Sequence, residues 1–366
     1  MRRFHSLTVA NVVPEAEDAM RVSLQVPPEL REEFRFLPGQ HLPLQVVLGG
    51  RKIRRTYSIC SSPGQWPLEI GVRVQPAGLF SEYVRSGLSA GSTLEVMPPF
   101  GQFHLARGDG DDAADTAAGG RYRIAFAAGS GITPIMSILR TTLENEPASR
   151  FLLCYGNRRQ RTTMFIEDLY ALKNRYPERL QLVFLFSREE QEFPLMSGRL
   201  DGPKVRELWQ SFVRQHPAEA FICGPDTMTD TVRHTLVELG MEQAAIQVER
   251  YGVPRHKPEQ QAPQPVPPQD PDHLARVTVI MDGHEKTFDM SALSPNIVDA
   301  AAEEGIELPY SCKAGVCATC RTWLREGKVR MRANYGLEPW EVEKGFVLAC
   351  QSFPLTDTVV LDYDKV

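Results

Sequence analysis

The pattern of apolar and polar positions changes period along the chain. Through about residue 104, short alternating runs recur: Leu7–Val12, Arg21–Val26, His41–Val46, Leu68–Val74 and Thr93–Val96. Pro and Gly signals such as Pro38-Gly39 and Ser62-Pro63-Gly64 divide them. A period of two puts alternate side chains on opposite faces, so these runs predict strands at the spacing of a small antiparallel barrel or sandwich. One short helix, Phe80–Arg85, interrupts them. From Arg121 the rhythm becomes strand–helix: strands over Tyr122–Ala128, Phe151–Tyr155, Leu180–Phe186, Ala220–Cys223 and Ile246–Glu249, with helices over Thr133–Leu143, Met164–Tyr176 and Asp226–Leu239. That alternation predicts an α/β parallel sheet with helices on both faces. The last stretch opens with a hairpin, Arg276–Ile280 and Lys286–Phe288, about an Asp282-Gly283 turn. A helix over Asn296–Glu304 and strands over Val347–Cys350 and Thr358–Asp362 follow.

Two segments break the pattern. Arg107–Gly120 is Gly, Asp and Ala without period, an insertion between domains. Gly252–Pro271 holds seven prolines in twenty residues. Such a segment joins neither helix nor sheet and reads as a semi-stiff spacer of about 3 Å per residue. The expected organisation is therefore a β-barrel domain over 1–106, an α/β domain over 107–251, a Pro-rich linker over 252–271 and a third domain over 272–366. A chain of 366 residues is long enough for two or three cores.

Composition narrows the setting. No apolar run approaches the ~18 residues of a membrane helix, and the first residues lack the apolar stretch of a secretory signal. Seven cysteines are an odd number; Cys60, Cys154 and Cys223 lie in apolar strand patterns, which fits reduced thiols in the cytoplasm. The net charge of −5 is concentrated after residue 271, where 15 acids face 10 bases. An acidic last domain excludes a nucleic-acid binder. It either steers a basic partner or is simply a solvated surface.

The chemistry-bearing stretch is Pro309–Cys320, with Cys312, Cys317 and Cys320 spaced C-x4-C-x2-C, and Cys350 downstream. This is the plant-type spacing for a [2Fe–2S] cluster, whose two irons take four thiolates. Small residues, Gly315 among them, let the loop close around inorganic sulfide. A zinc site or a disulfide pair is the alternative; zinc sites usually carry two C-x2-C pairs, and the x4 spacing argues against one.

Upstream motifs are each weak alone. Arg55-Thr56-Tyr57-Ser58 ends a barrel strand with phosphate donors, a flat ring and a hydroxyl; Gly78–Ser81 opens the short helix, whose free N–H groups suit a pyrophosphate. The plain alternatives are a surface strand and an ordinary turn. Gly129-Ser130-Gly131-Ile132-Thr133-Pro134 sits at the first strand-to-helix switch, where glycines admit a dinucleotide. It departs from the G-x-G-x-x-G fingerprint by carrying Pro in place of the third Gly. Cys223-Gly224-Pro225 repeats the logic at a later strand end, where Cys223 is either a core thiol or beside the ligand. Ser187 and Arg188 suit a ribose 2′-phosphate, favouring NADPH over NADH, although Glu189 and Glu190 follow at once and a solvated turn is the competing reading.

Together these motifs resemble the ferredoxin–NADP reductase family, and the last domain looks like a fused plant-type ferredoxin. End to end the chain is similar to the reductase subunits of phenylacetyl-CoA epoxidases, through Phe36–Leu42, Thr56–Cys60, Ala125–Pro134, Tyr155–Arg158 and Asn334–Pro339. The resemblance implies FAD in the barrel, with Arg55 on its pyrophosphate, Tyr57 and Ser58 by the ring, and Gly78 and Ser81 near the phosphates. It implies NADPH crossing the Gly129–Pro134 turn, over Gly129, Gly131 and Pro134, with Thr133 and Cys223 close to the nicotinamide, Gly224 and Pro225 also binding the cofactor, and Ser187 and Arg188 on the 2′-phosphate. Ser58 and Cys223 become the candidate catalytic pair, and the third domain a β-grasp ferredoxin with Cys312, Cys317, Cys320 and Cys350 on the cluster. Hydride transfer delivers two electrons and a [2Fe–2S] cluster takes one, so the implied order is NADPH, FAD, cluster, partner. No Glu-x-x-His pair or Cys-x-His run is present, so the terminal oxygenase, by resemblance a di-iron enzyme, is a separate protein. Two other readings stand beside this one: a reductase for another ring-hydroxylating oxygenase, and a redox-sensing or scaffold flavin iron–sulfur protein.

Overall fold

The computed structural model describes residues 3–105, 120–250, 274–291, 294–337 and 339–365. The insertion (save Gly120), the Pro-rich segment and the domain boundaries expected there lie outside these residues.

The first sheet has six strands: β1 (His5–Ala16), β2 (Ala19–Gln25), β3 (His41–Leu48), β4 (Arg51–Ser58), β5 (Leu68–Arg73) and β6 (Thr93–Val96), with α1 (Leu79–Ser86) before β6. The alternation does what it predicts: His5, Leu7 and Val9 are buried while Ser6, Thr8 and Ala10 face out. Strand order is β4-β3-β6-β1-β2-β5. A bridge between Ile59 and Ile70, just past β4, joins the two edges and closes the sheet. Leu7, Val22, Leu24, Leu42, Leu44 and Ile70 fill the interior together with Phe80 of α1. Each such side chain contributes about 1.5–3 kcal/mol by leaving water.

The second sheet is parallel, in the order β11-β10-β7-β8-β9. Its elements are β7 (Tyr122–Ala128), α2 (Ile132–Asn145), β8 (Arg150–Asn157), α3 (Ile166–Arg175), β9 (Leu180–Phe186), α4 (Gly202–Phe212), β10 (Glu219–Gly224), α5 (Asp226–Glu238) and β11 (Ile246–Arg250). The chain moves outward from β7 to β9, then returns to lay β10 on the other flank of β7. That reversal opens a crevice at the carboxyl ends of β7 and β10. Two findings differ from the sequence reading. α3 begins at Ile166 and not Met164, because Phe165 is left-handed (φ 58°) and its N–H donates to Glu15 Oε1 of the barrel at 2.7 Å. α4 was not expected, although Asp201 caps it by accepting from Lys204 N at 3.0 Å and Pro203 sits in its first turn. One apolar core of this sheet reaches the barrel's Ala19, Cys60 and Phe103, and the two sheets, save Arg54–Thr56 of β4, form one compact unit.

The C-terminal unit contains β12 (Leu274–Met281), β13 (His284–Ser291), α6 (Ile297–Glu303), β14 (Arg321–Glu326), β15 (Val329–Met331), α7 (Pro339–Glu343), β16 (Phe346–Leu348), β17 (Ser352–Pro354) and β18 (Thr358–Asp362). Its mixed sheet runs β13-β12-β18-β14-β16, with β12 and β18 parallel, and α6 packs on it as in a β-grasp. The expected hairpin turn has positive φ at both Asp282 and Gly283. Strands β14, β15 and β17 were not expected. The strand expected over Val347–Cys350 ends at Leu348; Cys350 lies instead in a 3-10 turn, Ala349–Gln351, pinned by Ala349 N donating to Cys320 O at 3.1 Å. No described helix is long and apolar enough to cross a membrane.

Candidate functional site

The end of β4 delivers Arg55, Tyr57 and Ser58. Arg55 is exposed, its guanidinium donating to the Arg54 carbonyl at 2.7 Å. The half-buried Tyr57 ring stacks at a tilt on Phe80 of α1, centroids 5.4 Å apart. Gly78 precedes α1, which no side chain caps. Ser81 fixes the turn: its hydroxyl donates to Gly78 O at 3.1 Å and accepts from Gln75 N at 3.0 Å. A Cβ at Gly78 would lie 2.6 Å from Ser81 Oγ, so the turn admits only glycine without rearrangement. An uncapped helix start of this kind fits the phosphates of a dinucleotide such as FAD.

At the end of β7, Gly129 is left-handed (φ 56°), and nothing lies within 4 Å of where its Cβ would be. Tyr155 holds the turn by donating from its hydroxyl to Gly129 O at 2.8 Å. Gly131 is needed for a different reason: a Cβ there would lie 2.1 Å from Cys223 O. Thr133 is buried and donates to Ser130 O at 3.0 Å, with Pro134 in the first turn of α2. Gly224 ends β10 and Pro225 precedes α5. The sequence-expected residues of the two turns are thus brought together by the closeness of β7 and β10.

Ser58 and Cys223, from different sheets, meet at a third residue that sequence reasoning missed. Glu249 of β11 accepts from Ser58 Oγ at 3.4 Å and from Cys223 Sγ at 3.7 Å. Its other oxygen lies 3.6 Å from Nδ1 of the buried His41. These are long contacts of the kind that tighten around a ligand. Glu249 precedes Arg250 in a short edge strand and looks like an ordinary surface ion pair, so no local signal marks it.

Ser187 and Arg188 follow β9 and are exposed at a cleft of about 470 Å³, lined also by Glu190, Pro194, Ser197 and Gly198. Their N–H groups donate to Asn157 O and Arg158 O, continuing the strand ladder. Glu189, which also lines the cleft, accepts from Gln160 N at 2.8 Å.

The cysteine loop coils through three left-handed residues, Lys313, Gly315 and Ala318 (φ 51°, 75° and 52°). This turns backbone N–H groups toward sulfur: Ala314 N and Cys317 N donate to Cys312 Sγ at 3.3 and 3.5 Å. The turn after β16 supplies Cys350, whose Sγ accepts from Gln351 Nε2 at 3.6 Å. The thiols form two hydrogen-bonded pairs, Cys312 with Cys317 and Cys320 with Cys350. The Cys317 hydrogen bond pulls Cys312 down to about 5, and the Cys320 hydrogen bond also lowers Cys350 from the ordinary thiol value. All four are free of disulfides. Two pairs of thiols, one in each favoured as thiolate and surrounded by donors, fit a two-iron cluster.

Residues 6–105 match the oxidoreductase FAD-binding domain family, 126–234 the oxidoreductase NAD-binding domain family, and 279–355 the 2Fe-2S iron-sulfur cluster binding domain family. The chain is 43% identical over 367 residues to a subunit of the 1,2-phenylacetyl-CoA epoxidase of Escherichia coli (strain K12), covering 100% of this chain and 99% of that one. It is 33% identical to the ferredoxin reductase component of 3-ketosteroid-9-alpha-monooxygenase of Rhodococcus rhodochrous, over 98% of this chain and 96% of that one. The solved structure of phthalate dioxygenase reductase shares the fold, with a TM-score of 0.57 at 22% identity and 98% of each chain covered. Barrel, parallel sheet and cysteine loop therefore make up an electron-transfer oxidoreductase, and the chain belongs to the family of flavin and [2Fe–2S] oxygenase reductases that includes this phenylacetyl-CoA epoxidase component.

Proposed function

We propose that the chain takes a hydride from NADPH and passes its two electrons singly to a separate di-iron oxygenase that epoxidises phenylacetyl-CoA. The observation that carries this reading is the end-to-end identity with the Escherichia coli epoxidase component, unbroken through all three family matches. FAD, when bound, supplies the step from paired to single electrons, and the [2Fe–2S] cluster relays them.

The protein's own residues bind and orient. Arg55 with the Gly78–Ser81 turn holds the FAD pyrophosphate, while Tyr57 and Ser58 border its ring. Gly129, Gly131 and Pro134, with Gly224 and Pro225, seat NADPH, and Thr133 and Cys223 border its nicotinamide. Ser58 and Cys223, both aimed at Glu249, set the face on which the nicotinamide lies. Ser187 and Arg188 receive the 2′-phosphate in the cleft after β9. Cys312, Cys317, Cys320 and Cys350 would hold the cluster between them. The domains run 1–106, 107–251 and 272–366, joined by the 252–271 linker.

The Rhodococcus relative favours a second reading, a different oxygenase client, because it covers nearly the whole chain too. Anaerobic reduction of purified phenylacetyl-CoA epoxidase oxygenase by this chain, with NADPH or NADH and with or without phenylacetyl-CoA, separates the readings. Rapid, substrate-stimulated reduction with NADPH is expected. Fast dye reduction without transfer to that oxygenase moves the client elsewhere. A flavin that NADPH leaves oxidised sinks the reductase reading in favour of a sensor.

A further inference from the structure

One residue after Cys320, β14 begins with a charged side chain that turns inward. Arg321 Nε donates to Glu341 Oε1 at 2.7 Å, and the guanidinium stacks on Phe346, 3.6 Å from the ring centroid. Glu341 is 0% exposed and the Arg321 side chain 17%. Phe346 opens β16, and Arg321 lies opposite Leu348 in the β14–β16 ladder, two residues from Cys350. Glu341 belongs to α7, whose outer side shows Trp340 and Val342 to solvent. The chain just before α7 lies on the cysteine loop: a Cβ at Gly336 would come 2.5 Å from Val316 O, and Tyr335 N donates to Gly315 O at 2.9 Å.

A buried ion pair is a poor device for stability, since apolar residues of the same volume serve as well or better. Its distinctive property is charge. Cluster potentials respond to net charge and burial around the sulfurs, and a charge shielded from water acts over a long range. Arg321 adjoins Cys320 and stands across the ladder from the strand leading to Cys350. We propose that Arg321 and Glu341 form a charge-balanced clamp that sets the reduction potential of the cluster on its Cys320–Cys350 side and holds α7 over the cysteine loop. They are positioning residues, neither being a ligand. This rests on reading the four cysteines as cluster ligands.

The test is spectroelectrochemical reduction of the full-length holoprotein, read by visible absorbance and by the EPR signal of the reduced cluster. Parent protein without that signal sinks the ligand reading, independently of the clamp. With the signal present, Glu341→Gln leaves the guanidinium unbalanced and is expected to raise the potential. The double variant Arg321→Met with Glu341→Gln restores neutrality and is expected to return the potential toward the parent value. A purely structural role would move melting temperature alone. Equal potentials in all three proteins, or a shift shared by the single and double variants, overturn the proposal. Should Glu341→Gln emerge without its cluster, the double variant decides: a loaded double variant upholds charge balance, and an empty one overturns it.

Discussion

Gly131→Ala isolates one close approach on which the nucleotide crevice depends. The added methyl carbon would lie 2.1 Å from Cys223 O, 2.5 Å from Cys223 C and 2.9 Å from Gly224 N. All three are backbone atoms, and β10 is laddered on both sides, to β7 and β11, so none can rotate aside. Gly131 has φ −61°, which alanine adopts freely, so the effect is steric and not torsional. Relief requires the α2 turn and the end of β10 to part by about 1 Å, and a shift of about that size in a reacting geometry costs about 10²-fold in rate. Overpacking of this kind costs about 1–3 kcal/mol, a drop of roughly 3–10 °C in melting temperature at this domain size. Anaerobic stopped-flow bleaching of the flavin by NADPH gives the rate, and calorimetry the stability. Gly129→Ala is the control, because its methyl meets open space and its cost is the ~1–2 kcal/mol of a left-handed alanine. It should raise KM for NADPH through the methyl in the ligand's path, with a smaller loss of maximal rate. Parental bleaching rate and melting temperature in Gly131→Ala would refute the reasoning.

Cys317→Ser should abolish the iron–sulfur absorbance yet leave flavin bleaching by NADPH intact; loss of both would show that the two units do not function independently. Arg188→Ala should weaken NADPH by about 10–100-fold, the worth of a charge-assisted hydrogen bond to phosphate, and NADH little; equal weakening removes the 2′-phosphate from this cleft. Burial is the largest influence on Glu15 and raises its pKa above 4.5, against the pull of Arg21. A raised folded-state value stabilises the fold below pH 4.5 and loses that contribution as pH rises through the folded value. Glu15→Gln should therefore flatten the pH–stability profile across that window in calorimetric melts. Arg21→Met should cost about 3 kcal/mol, because it strips the shared guanidinium from Glu15 and Asp168.

Most of the fold is written in local period. The alternation of β1 and the buried run of β7 each read directly as strands, and Asn296 announces α6 as its cap, accepting from Asp299 N. The misreadings have tertiary causes. Phe165 could continue α3 by propensity, but Glu15 captures its N–H and twists it left-handed. Cys350 follows an apolar run that suggests strand, until Cys320 O pulls Ala349 into a turn. α4 is different: its start is announced locally by Asp201 and Pro203, and nothing tertiary disguises it. At the site, spacing reveals the cysteines because Cys312, Cys317 and Cys320 come from a single loop. Glu249 could not be found that way, since its neighbours Ser58 and Cys223 lie 191 and 26 residues away.

The core that joins α2 and α3 to Ala19, Cys60 and Phe103 is shared, whereas Val277, Ile297, Leu348 and Leu361 of the C-terminal unit belong to a separate core. Cutting between the first two sheets would strip both pieces of apolar cover and leave each prone to aggregate. Grafting experiments should accordingly move the flavin and nucleotide portions as one cassette.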